Sequence, residues 1–273
     1  MRSEKENMRI PDNFTFSQHS LQDFVDCPYR FYLRYVQNLQ WPAVESEPAL
    51  LQEARMELGQ RFHALVHQYL SGIDPEILSA TIDNPQLMNW WEVFLQLNIQ
   101  QLPGEKLPEH LVSVECGGYR LLAKYDLLVS HSDGSHIIFD WKTSHHKPAA
   151  NLLMQRMQSS VYPFVLIKYI AKISDQTIDP SVVRMQYWFP EFPTEPVEFQ
   201  YSQLQYELDG EKIRSLINQT TSLSEDAWNK TDELRRCLYC QYRSFCERGV
   251  EAGYSQDEDE DLIDRDLLIF DEL

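Results

Sequence analysis

The chain has 273 residues, 43% of them hydrophobic and 12% aromatic, enough for one large domain or two small ones with a substantial core. No apolar run reaches the ~18 residues of a membrane helix, and the charged start Met1-Arg2-Ser3-Glu4-Lys5-Glu6 leads into no apolar segment, so neither a membrane span nor a signal peptide is expected and the chain reads as cytoplasmic. The net charge of −18 argues against a duplex binder with a basic face, although half of it lies in Glu251–Leu273, where ten acidic residues accompany a single basic one, Arg265.

Residues 1–16 read as a flexible start. Ser17 or Ser20 then suits a helix N-cap ahead of Leu21, Phe24 and Val25, and Cys27-Pro28 breaks that pattern. An aromatic and basic helix or turn follows over Tyr29–Val36, then a loop over 42–48. Leu51, Ala54, Leu58, Phe62, Leu65, Val66 and Tyr69 recur at helical spacing, and Ser71-Gly72 ends that helix. A second helix over about 85–101 carries Leu87, Trp90, Trp91, Phe94 and Leu97. After Pro103 and Pro108 the texture changes to three strands, 111–116, 119–129 and 136–142, joined by Gly117-Gly118 and Ser132-Asp133-Gly134. This is an antiparallel meander. A helix over 149–173, strands near 182–189 and 197–201, and helices near 202–222 and 224–236 complete the body. The order predicts an α/β fold: one domain over 17–249, with a mixed central sheet flanked by helices and an N-terminal helical elaboration, followed by an acidic tail over 250–273.

The third strand of the meander ends in Asp140-Trp141-Lys142. Side chains alternate along a strand, so Asp140 and Lys142 share a face. A carboxylate can hold a hard cation, and an adjacent ammonium can place a water beside it, which is the minimum apparatus for metal-assisted phosphodiester hydrolysis. A strand-end salt bridge fits the same three residues. Asp126 lies in the neighbouring strand, where its carboxylate can reach the same cation, Mg²⁺ or Mn²⁺. His63 is a further candidate ligand, and imidazole favours Mn²⁺ over Mg²⁺; His67, one turn on, is assigned no role. Gln158 and Tyr162 share one helix face and can contact DNA or brace the lysine.

Cys237-x2-Cys240-x5-Cys246 places three thiols in one small loop, and Cys27 is the candidate fourth ligand. Four thiolates suit Zn²⁺ or an iron–sulfur cluster. The aromatics beside both halves, Tyr29, Phe31 and Tyr32 with Tyr239, Tyr242 and Phe245, would shield such a centre. Cys116 reads as a small core residue.

In this order, Ser20-Leu21-x-x-Phe24-x-x-Cys27-Pro28-Tyr29-x-Phe31, Gly59-x-x-Phe62-His63, Glu115 with Asp126, Asp140-Trp141-Lys142-Thr143, Gln158-x-x-x-Tyr162 and the three late cysteines resemble the PD-(D/E)XK nuclease superfamily over residues 17–248. The split cysteines are similar to those of its RecB-like exonuclease branch, which includes the AddB nuclease domain and the CRISPR-associated RecB-like exonucleases. The resemblance implies a restriction-endonuclease-like fold and a metal-dependent DNA exonuclease of repair, recombination or defence, acting on single-stranded ends. It implies that His63, Asp126, Asp140 and the Trp141 carbonyl bind the divalent metal, and that Lys142 orients the attacking water. Gln158 and Tyr162 would support the site or contact DNA. Cys27, Cys237, Cys240 and Cys246 would hold a structural 4Fe–4S cluster. No Gly-rich phosphate loop ending in Lys-Ser/Thr is present, so a helicase or other partner is expected to supply unwinding. The alternative reading is a nuclease-fold scaffold that docks on a partner complex and cuts weakly. The acidic tail suits partner docking, mimicry of DNA over the cleft, or a solvated end.

Overall fold

The computed structural model describes residues 9–40 and 47–249. The charged start, most of the loop expected over 42–48, and the acidic tail lie outside these residues. Strand β1 (Thr15–Ser17) runs straight into α1 (Gln18–Asp26). Ser17 is the N-cap: its hydroxyl accepts the Ser20 N–H, while the Ser20 hydroxyl accepts the Ser17 N–H. Cys27 closes α1, Pro28 opens α2 (Pro28–Phe31), and a π-turn spans Tyr32–Val36. Then come α3 (Glu47–Leu70), α4 (Pro75–Ser79) and α5 (Pro85–Gln96). The last is started by the Asn84 side chain, which accepts the Gln86 and Leu87 N–H groups.

The expected meander forms, with β2 (Glu105–Cys116), β3 (Tyr119–Ser130) and β4 (His136–Trp141) antiparallel. Helices α6 (Ala150–Gln155) and α7 (Met157–Ser174) carry the chain back to β5 (Val183–Trp188), parallel to β4. An antiparallel β6 (Val197–Gln200) and α8 (Gln203–Ser222) follow. β1 pairs parallel with β3 at Arg120–Leu122, and β4 pairs with β3 only at Leu127–Ser130. The result is a mixed central sheet flanked by helices.

Two expected helices differ. The 149–173 helix is broken at extended Arg156, because the Gln22 side chain takes the Met157 N–H at 3.0 Å and starts a new helix there. Residues 224–236 form short 3₁₀ turns in place of a helix. Trp228 holds that segment down, stacked on Phe31 and Tyr32 at 5.7 and 5.4 Å between ring centroids.

The sheet separates two cores. Helices α1, α2, α7 and α8 cover one face, with Leu21, Phe31, Val161 and Ile213 fully buried. Helices α3 and α5 cover the other, where Phe62, Trp90, Trp91 and Phe94 pack on Trp141 and Trp188. Burial of each such side chain contributes about 1.5–3 kcal/mol. Strand alternation slips midway along β3. Leu121, Ala123 and Tyr125 face the first core, and so does Leu128, whereas Leu127 and Val129 face the second. The slip falls at Asp126. Among the described residues no helix is long and apolar enough to cross a membrane.

Candidate active site

Strands β3 and β4 stop pairing after Leu127↔Phe139, so Asp126 and Asp140 stand where the two strands part. The Trp141 N–H, which has lost its place in the ladder, donates to Asp126 Oδ2 at 2.7 Å. Helix α3 closes the split from one sheet face, placing His63 Nδ1 3.3 Å from Asp126 Oδ1. Gly59, one turn earlier, permits that approach: a Cβ there would lie 2.6 Å from Thr143 Oγ1. His67 is exposed on the same helix.

Helix α7 closes the other face. Gln158 donates from Nε2 to Asp140 Oδ2 at 2.5 Å and accepts at Oε1 from Lys142 Nζ at 2.9 Å. Lys142 Nζ also lies 2.9 Å from Asp140 Oδ1, so the three side chains form a closed triangle. Tyr162 is buried beneath it. Its hydroxyl accepts from Gln18 Nε2 and its carbonyl from the Tyr125 hydroxyl, each at 3.0 Å. Tyr162 is 3% exposed. Glu115 also stands apart, accepting the Gly118 N–H in the β2–β3 turn.

Electrostatics set the two aspartates apart. Burial pushes the Asp140 carboxyl up to about 6; Lys142 opposes this and the charge of Asp126 adds to it. Burial would raise Asp126 too, but His63, the Trp141 N–H and Lys142 outweigh it and hold that carboxyl below its ordinary value. Burial disfavours the His63 cation, yet Asp126, Asp140 and Glu109 overcome that and raise its pKa. Two buried carboxylates crowded together are relieved by a divalent cation. A donor set for one is present: a His63 ring nitrogen and carboxylate oxygens of Glu109 and Asp126 all lie within 4.8 Å of one another. Glu109 was invisible to sequence reasoning, since Pro108 beside it reads as a strand breaker.

A second constellation joins the chain ends. Cys27, Cys237, Cys240 and Cys246 line one cavity, together with Arg30, Lys230, Arg236, Arg243 and Arg248. Burial pushes the Cys246 thiol up to about 11, the Cys240 charge adds to this, and Lys230 opposes it. Burial raises Cys237 and Cys240 as well. Four thiols ringed by five cations fit a centre that binds thiolates and carries net negative charge. Cys116 is buried in the core, away from this cavity.

The family model of the PD-(D/E)XK nuclease superfamily matches residues 15–247. No curated protein sequence matches the chain. Among solved structures, SSO0001 is similar at 15% identity and a TM-score of 0.44, over 90% of this chain and 89% of that one. A Eubacterium rectale protein provisionally named an exonuclease is similar at 10% identity and a TM-score of 0.48, over 81% and 85% of the two chains. Neither likeness is strong enough to speak to activity. The family match spans the parted strands, both flanking helices and all four clustered cysteines, and the chain belongs to the PD-(D/E)XK nuclease superfamily.

Proposed function

We propose that the protein is a metal-dependent DNA exonuclease acting on single-stranded ends, and that its cysteine lobe carries a structural 4Fe–4S cluster. The observation that carries the first part is the Asp140–Lys142–Gln158 triangle set against Asp126 and His63 where β3 and β4 part. His63, Asp126 and Asp140, with the Trp141 carbonyl, hold Mg²⁺ or Mn²⁺. A bound divalent cation supplies Lewis acidity and lowers the pKa of water. Lys142 orients the attacking water and offsets the charge that develops on the phosphate. Gln158 fixes the lysine by accepting from its ammonium, and Tyr162 keeps α7 seated on β3. The single-stranded and exonucleolytic parts of the reading rest on the order of the motifs and on the split cysteines.

End-labelled single-stranded DNA incubated with Mn²⁺ or Mg²⁺ should release mononucleotides, and a chelator should stop the release. Absence of products with either ion would overturn the nuclease reading in favour of a scaffold. Internal cuts in circular DNA would overturn its exonuclease part.

The cluster reading is supported by the split cysteine pattern and by the shared cavity of the four thiols. Cys27, Cys237, Cys240 and Cys246 line one cavity with five cationic side chains, which suits a thiolate-ligated centre of net negative charge. Protein purified without oxygen should be brown, absorb near ~400 nm and contain iron. A colourless, zinc-bearing protein would refute the cluster.

A further inference from the structure

We propose that Glu109 is a third carboxylate ligand of the divalent-cation site, an inference that rests on the metal-dependent reading above. Glu109 and Asp126 fall at the same step of the β2–β3 ladder, between the pairs Pro108↔Leu127 and His110↔Tyr125, where the register skips both residues. Like charges facing each other across neighbouring strands repel, so two carboxylates this close are unfavourable unless a cation joins them. The backbone at Glu109 is also strained. Its φ of +50° is left-handed, inside a strand and on a residue with a Cβ. The inward face of β2 changes at the same level: Leu107 packs on the first core, and so do Val112, Val114 and Cys116, although odd and even positions should face opposite ways. Both strands therefore slip together at the Glu109–Asp126 step, which leaves the Glu109 carboxylate within reach of Asp126 and His63.

Its partner is Lys124, whose Nζ lies 2.5 Å from Glu109 Oε2. That lysine is 54% exposed, and an ion pair with so wet a partner stabilises too little to account for a left-handed backbone. Glu109 adds a carboxylate oxygen on the β2 side of the Asp126–His63 pair. Lys124 then acts as a stand-in cation that a divalent ion displaces.

The test is Mn²⁺ binding to metal-free full-length protein, followed by the resonance signal of free Mn²⁺ and by the Mn²⁺-induced rise in melting temperature. Glu109→Gln should weaken binding about tenfold or more. Glu109→Gly should melt higher than wild type without metal, because glycine accepts the left-handed conformation, and should gain less from Mn²⁺. Lys124→Met should bind Mn²⁺ as tightly as wild type or more tightly. Wild-type affinity in both Glu109 variants, with Asp126→Asn losing the ion, would overturn this inference and leave the metal-dependent reading standing. A Lys124→Met loss equal to that of Glu109→Gln would overturn it too, by showing that Glu109 acts only through the lysine. If the wild-type protein itself bound no Mn²⁺, the underlying reading would fall.

Discussion

Lys142→Ala is expected to slow cleavage of single-stranded DNA by about 10²–10³-fold, the loss typical of removing one group that stabilises charge in the transition state, while the protein stays folded. The ammonium is 13% exposed and tied to both Asp140 and Gln158. Removing one partner of a buried ion pair usually costs stability, because the remaining charge has nowhere to go. Here the remaining charge has an exit. The Asp140 carboxyl titrates at about 6, and the lysine is one of the influences holding it down. Without Lys142 that pKa rises further, and the carboxyl takes up a proton in place of an uncompensated charge. Lys142→Arg should not restore activity, since a planar guanidinium cannot replace a point ammonium in the pocket formed by Gln158 and the Tyr187 ring, 5.6 Å from the nitrogen. Single-turnover cleavage with DNA binding measured in parallel is the check. Wild-type cleavage by Lys142→Ala, with binding retained, would remove the lysine from the chemistry.

The parts of this site that could be read in the sequence are those carried by local periodicity. Alternation in Phe139-Asp140-Trp141-Lys142 places the acid and the amine together, and the structure joins them at 2.9 Å. Glycines at the β2–β3 turn, with φ of +61° and +82°, mark the hairpin that brings β3 against its neighbours. Helical spacing puts Phe62 in the core, and His63 beside it on α3 lies 3.3 Å from Asp126. The features that escaped depend on slips and long-range contacts. Glu109 escaped because a period-2 pattern carries no sign of where two strands slip together. The break at Arg156 escaped because its cause, the Gln22 side chain, lies 135 positions away in the chain. β1 escaped because three residues are too few to show a period. The cysteine spacing pointed to the convergence of the chain ends, but nothing local pointed to what holds them together.

What holds them is a set of buried charges, and Asp26→Ala is expected to destabilise the protein by about 3–5 kcal/mol. Asp23 lies 2.7 Å from Arg30 Nε and 2.8 Å from Arg34 Nη1. Asp26 accepts from Arg30 Nη2 at 2.8 Å, from Gln22 Nε2 at 2.9 Å, and from Arg236. Arg30 therefore spans both acids, and Asp26 reaches across 210 positions to the residue beside Cys237. Asp23 sits one turn before Cys27 and Asp26 directly before it, so the same ion pairs that bind the chain ends also seat the thiols. Alanine at 26 strips one anion from two buried guanidiniums that, unlike a carboxyl or an imidazole, cannot shed their charge. In a protein whose whole stability is of order 5–15 kcal/mol, that loss is large. It should lower the melting temperature by roughly 10 °C. Glu198→Ala provides the contrast: its pair with Arg184 is 3.8 Å long and both side chains are over 40% exposed, so it should change stability by less than about 0.5 kcal/mol. Thermal melts of the two variants, on protein carrying the same complement of bound metal, decide the matter. If Asp26→Ala melted with Glu198→Ala, the charges would be passengers and the aromatic stack on Trp228 would carry the junction alone.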